Sequence, residues 1–127
     1  MRRLLVALSF LTLAACNGDS ATNPSASNIS GRYQLRSVNG RSLPYSFGNS
    51  TLQSDNLTIA EGGSWSESLV FSTASGTQTT GYAGSWSYFG NSVTLTRAQG
   101  GTAYTGTYAG NGTLNVTDGA DSYSFSR

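Results

Sequence analysis

Glu67 and Arg97 are ionisable residues set into otherwise apolar alternating runs. Glu67 falls in step with Trp65, Leu69 and Phe71, and Arg97 in step with Val93 and Leu95. Successive side chains of a strand point to opposite faces, so this spacing puts both charges on the apolar side. A charge held there needs a partner or water. Three arrangements meet that need: a polar anchor in a ligand cavity, an internal salt bridge, or a position at a wet rim. A β-bulge would instead shift the phase and turn either residue outward.

Other chemistry is thinly supplied. Histidine is absent, and Cys16 is the one cysteine. The many serines therefore have no evident activator, and no nucleophile–base pair can be assembled. An enzyme reading would have to use Glu67 as general base beside Arg97. We expect no catalysis. The glycine-rich stretches read as turns, since none has a phosphate-loop context. The carboxylates lack calcium-loop spacing, and Asp118-Gly119-Ala120-Asp121 reads as a hairpin turn. Neither a cofactor nor a metal is expected.

The aromatic residues supply a binding reading. Trp65, Tyr82, Trp86 and Tyr104 alternate along their runs, and Tyr88, Tyr108, Tyr123 and Phe125 extend the set. With Glu67 and Arg97, the first four would wall a site for a small apolar or amphiphilic molecule. The same rings could equally fill a core. Gly84 and Gly106 share their faces and could make room for neighbouring rings.

The elements that must position these residues are strands. From residue 30 onward, short alternating runs are broken at Asn39-Gly40, Gly62-Gly63, Ser75-Gly76, Gly90-Asn91, Gly100-Gly101, Asn111-Gly112 and Asp118-Gly119. The segment Arg41 to Ser50 carries Leu43, Tyr45 and Phe47, but Pro44 and Gly48 weaken it. It is expected as a long loop or edge segment, serving as a lid or a contact patch. No run beyond the N-terminal leader has helical periodicity. Short connections favour antiparallel neighbours in chain order. About eight such strands predict an all-β, up-and-down antiparallel barrel over residues 30–127. Closure would pair the strand near Tyr33 with the one near Tyr123. A two-sheet sandwich is the rival.

The N-terminus carries an address. Arg2-Arg3 precede an apolar run from Leu4 to Leu13, and then comes Leu13-Ala14-Ala15-Cys16. This is a signal peptide over residues 1–15, too short for a membrane span. Its end resembles the lipobox of bacterial lipoproteins. That resemblance implies lipidation of Cys16 and membrane attachment in the cell envelope. Asn17 lacks the aspartate of inner-membrane retention, so the family rule implies the outer membrane. Residues 16–29 read as a lipidated cysteine and flexible linker, since positions 17–28 hold nothing apolar larger than alanine. The mature part, with five arginines, no lysine and six carboxylates, has no polybasic run for nucleic acid or anionic lipid.

The domain is similar to small bacterial lipocalin-like lipoproteins. The likeness rests on Gly31-Arg32-Tyr33-Gln34-Leu35, on Ser37-Val38-Asn39-Gly40 followed by Leu43-Pro44, and on the closing Tyr123-Ser124-Phe125-Ser126-Arg127. Lipocalins often open with Gly-x-Trp and pack a late basic residue over that ring. Here Tyr33 replaces the tryptophan, and Arg127 is the implied basic partner. The resemblance implies a calycin-like barrel able to hold an apolar ligand, and it implies no particular chemistry.

Overall fold

The computed structural model describes residues 24–127, so the signal peptide and Cys16 lie outside the described residues. One helical turn, α1 (Ala26–Ile29), precedes ten strands. These are β1 (Gly31–Val38), β2 (Arg41–Ser42), β3 (Tyr45–Phe47), β4 (Ser50–Ile59), β5 (Ser64–Thr73), β6 (Gly76–Phe89), β7 (Ser92–Arg97), β8 (Tyr104–Tyr108), β9 (Thr113–Thr117) and β10 (Ser122–Ser126).

From β4 to β10 each strand pairs antiparallel with the next, as two- to six-residue turns require. β1 then pairs on one side with β10, through Leu35 opposite Phe125 and Val38 opposite Tyr123. On its other side β1 pairs with β4, through Gly31 opposite Ile59. The eight strands β1 and β4–β10 thus close into an antiparallel barrel, as the turn spacing predicts. Tyr33, Leu57, Ile59, Trp65, Val93, Leu95, Leu114, Val116 and Phe125 are all buried.

Between residues 41 and 50 the structure is more ordered than a loop. β1 and β4 pair only as far as Gln34 and Asn56. Beyond that point β2 continues on β1 and β3 continues on β4. Leu43, Tyr45 and Phe47 are half-buried against the core, so the segment fills a gap in the wall. Bulges at Leu35/Ser37 and Leu52/Ser54 mark where the two strands diverge.

The alternating turns give the barrel two different ends. At the first, α1 is held by a capping box of Ser25 and Asn28, and Ile29 is fully buried. Residues 26–29, expected as flexible linker, are therefore part of the packed domain. Composition hid this, because the single apolar anchor is the last residue of the stretch. Arg127 locks this end by donating to the carbonyls of Asn28 and Ser30 and to the Tyr108 hydroxyl. Its guanidinium lies 5.5 Å from the Tyr33 ring centre, which is the stacking the lipocalin resemblance implies. Burial, opposed by the Arg127 charge, pushes the Tyr33 phenol up to about 12. The second end carries the β5–β6, β7–β8 and β9–β10 turns.

Gly84 and Gly106 do not make room for rings. A Cβ on Gly84 would stand 1.8 Å from the Thr96 carbonyl oxygen, and one on Gly106 would stand 1.9 Å from that of Asn115. Both glycines let neighbouring backbones approach where the wall curves tightly.

Candidate functional site

β5 brings Glu67 inward between Trp65 and Leu69, and its register with β6 is unbroken. Tyr82 on β6 stands opposite Glu67. β7 and β8 place Arg97 and Tyr104 on the same inner face, with β6–β7 also unbroken. No bulge intervenes, so the simple alternation holds and both charged residues face in.

The side chains form a directed chain of hydrogen bonds. Arg97 Nη2 donates to the Tyr104 hydroxyl at 3.0 Å. That hydroxyl donates to the Glu67 carboxylate, lying 3.4 Å from Oε1 and 3.3 Å from Oε2. Arg97 therefore reaches Glu67 through Tyr104, and the simple internal salt bridge is replaced by a relay.

Behind Glu67 stands Asp55, a residue the sequence reading missed. It is 2 % exposed, and Glu67 4 %. Both Asp55 oxygens are buried without a hydrogen-bond partner, and Glu67 is the neighbouring charge. Two carboxyl groups buried side by side resist ionising together. Burial first, then the charge of Glu67, push Asp55 up to about 9. Burial also raises Glu67, against the pull of Asp55, Arg97 and Tyr104. Asp55 is accordingly kept uncharged at neutral pH, and the Tyr104 hydroxyl is the donor aimed at Glu67. The signal for Asp55 was its shared parity with Leu57 and Ile59. It is legible once β4 is extended back past Leu57.

Arg97 is the outward limit of this cluster. Its guanidinium carbon lies 4.1 Å from the Tyr82 ring centre and 5.1 Å from that of Tyr104. The Nε is buried and has no hydrogen-bond partner. Beside it opens a recess of about 420 Å³, lined by Gly81, Tyr82, Ala83, Arg97, Ala98, Gln99 and Gly100. Tyr82 is 38 % exposed there.

The six expected binding residues thus divide. Glu67, Tyr82, Arg97 and Tyr104 come together, with Glu67 and Tyr104 buried and Tyr82 exposed. Trp65 abuts Tyr104 edge-on at 6.1 Å and donates to the Thr96 carbonyl, which makes it packing behind the cluster. Trp86 is not part of it. Its indole donates to Ala60 O near the α1 end, and its ring stacks on Tyr88. Alternation set Trp86 on the correct face, but two steps along β6 from Gly84 carried it toward the other end. The expected interior cavity walls, Trp65 and Tyr104, contact one another. The accessible space beside them is at the mouth.

Asp118 and Asp121 form the expected turn. Asp118 Oδ1 accepts from the backbone of Ala120 and Asp121, and Oδ2 from the Tyr123 hydroxyl. Burial works to raise Asp118, but these bonds hold it below the usual carboxylate range. Among the described residues no group of three or more potential ligands could hold a metal ion. Compared as a whole, the chain matches no protein-family profile, no curated protein and no solved structure.

Proposed function

We propose that this chain is a lipid-anchored envelope lipoprotein whose lipocalin-like barrel binds a small amphiphile with an anionic head, without performing chemistry on it. The observation that carries the binding is Arg97, stacked between Tyr82 and Tyr104 in an open recess and bonded to a neutral hydroxyl. A cation so placed is available to a carboxylate or phosphate, and the Tyr82 face supports the adjoining apolar part. The Cys16 lipobox supplies the anchor in this reading, with attachment at the outer membrane. Multiple acyl chains give durable binding where one chain is marginal.

A second reading has one observation in its favour. The interior rings of Trp65 and Tyr104 pack on each other, as in a filled barrel that acts as a non-catalytic envelope interaction module. The two readings part at Arg97. Lipid extraction of protein purified from its own envelope tests them: an acidic amphiphile retained by the parent chain and lost in Arg97→Gln supports binding. A chain that carries no small molecule favours the module.

A further inference from the structure

β6 is longer than the barrel needs. Gly84 to Phe89 pair with β7, whereas Gly76 to Ala83 pair only with β5. β7 leaves at Arg97, and Ala98 N makes a last bond to Ala83 O. Residues 76–83 are exposed; no strand pairs with their side away from β5, and the recess lies between residues 81–83 and 98–100.

The alternation of an antiparallel ladder tells which groups point there. Trp86 N bonds back to Gly63 on the β5 side, whereas Ala83 O bonds forward to the β7 side. With no register shift along β5–β6, the odd residues Thr77, Thr79 and Gly81 turn their N–H and C=O toward the open side. Natural edges are usually guarded by lysine, proline, a bulge or short length. Residues 76–83 carry no charge, no proline and no bulge.

We propose that this β6 edge pairs with the same edge of a second copy, antiparallel about a two-fold axis through Thr79. The occupant follows from the residues. A two-fold centred on Thr79 sets Thr77 opposite Gly81, so outward groups meet outward groups in both directions. It also sets Tyr82 opposite Gly76 and Gln78 opposite Thr80. Each tyrosine ring then covers a bare glycine, and no like charges are opposed. The pairing is isologous, so it uses the same β6 edge of both copies and closes as a dimer. The partner's β5–β6 turn comes to lie against Tyr82, one wall of the Arg97 recess. This goes beyond the ligand reading and does not depend on it.

Directly opposed residues of a hydrogen-bonded antiparallel pair have Cα atoms about 5.5 Å apart, within disulfide range. The test uses the full chain in a Cys16→Ser background, so that an introduced thiol is alone. Under copper–phenanthroline oxidation, Thr79→Cys is expected to give a band of doubled mass on a non-reducing gel. Thr77→Cys, displaced from its own copy along the strand, is expected to stay largely monomeric. Equal linking at both positions, or none at either, would overturn the pairing. A Thr79→Cys adduct with a different envelope protein would overturn it in favour of another partner. Sedimentation supplies a readout without thiols: the Cys16→Ser chain is expected to run as a dimer, and Thr79→Pro as a folded monomer. A monomeric Cys16→Ser chain would contradict the proposal.

Discussion

The Asp55 carboxyl is buried beside Glu67, its diagonal neighbour across the β4–β5 pairing inside the barrel. Unfolded, Asp55 releases its proton near 3.8, whereas folded it retains that proton to about 9. Glu67 is shifted the same way. The folded chain therefore binds more protons through this window. The stability this contributes is complete below 3.8 and is lost as pH rises toward 9. One proton corresponds to a slope of at most about 1.4 kcal/mol per pH unit. We expect the melting temperature to fall from mildly acidic to alkaline pH, and Asp55→Asn to flatten that fall. An Asn variant with the parent slope would show that the proton sits elsewhere.

The close approaches at Gly84 and Gly106 are a stability prediction. Placing a methyl against a backbone carbonyl forces the wall apart, so Gly84→Ala and Gly106→Ala should each lose about 2 kcal/mol or more. Gly62→Ala meets nothing within 4 Å and should change stability by less than about 0.5 kcal/mol. Urea unfolding midpoints compare the three. Similar midpoints for all of them would refute the steric account.

Arg127 ties the last residue to α1 and to β8. Arg127→Ala removes the bonds to Asn28, Ser30 and Tyr108 and the stacking on Tyr33. The expected loss is about 2 kcal/mol. Hydrogen exchange should accelerate at the Ile29 and Ser30 amides before it does in β4–β7. Uniform acceleration would mean that Arg127 stabilises the whole barrel and does not act as a local latch.

Much of this was legible in the sequence, for physical reasons that also set the limits. Strand period and two-residue turns specify an antiparallel barrel, and they put Glu67 and Arg97 inside. The period says which face a residue takes but not how far along the axis it lies. Trp86 was therefore grouped with residues at the opposite end. Asp55 was missed because the bulge at Leu52/Ser54 interrupts the alternation just ahead of it. Ile29 was missed because a single buried side chain leaves no pattern. The open edge of β6 could not be read at all. It depends on where β7 stops.

Anchoring lies outside the described residues and is open to a direct experiment. Cys16→Ser should move the chain from the membrane pellet to the soluble fraction. Continued sedimentation with membranes would mean that another part of the chain supplies the attachment.

Arg97 carries the proposed function, and native mass spectrometry of the chain purified from its own envelope tests it most directly. The account predicts a bound acidic amphiphile of reproducible mass in the parent chain. It also predicts that Arg97→Gln, folded and carrying the same Asp55–Glu67 pair, loses that mass. An Arg97→Gln chain that retains the same bound molecule, or a parent chain that is empty, would contradict it.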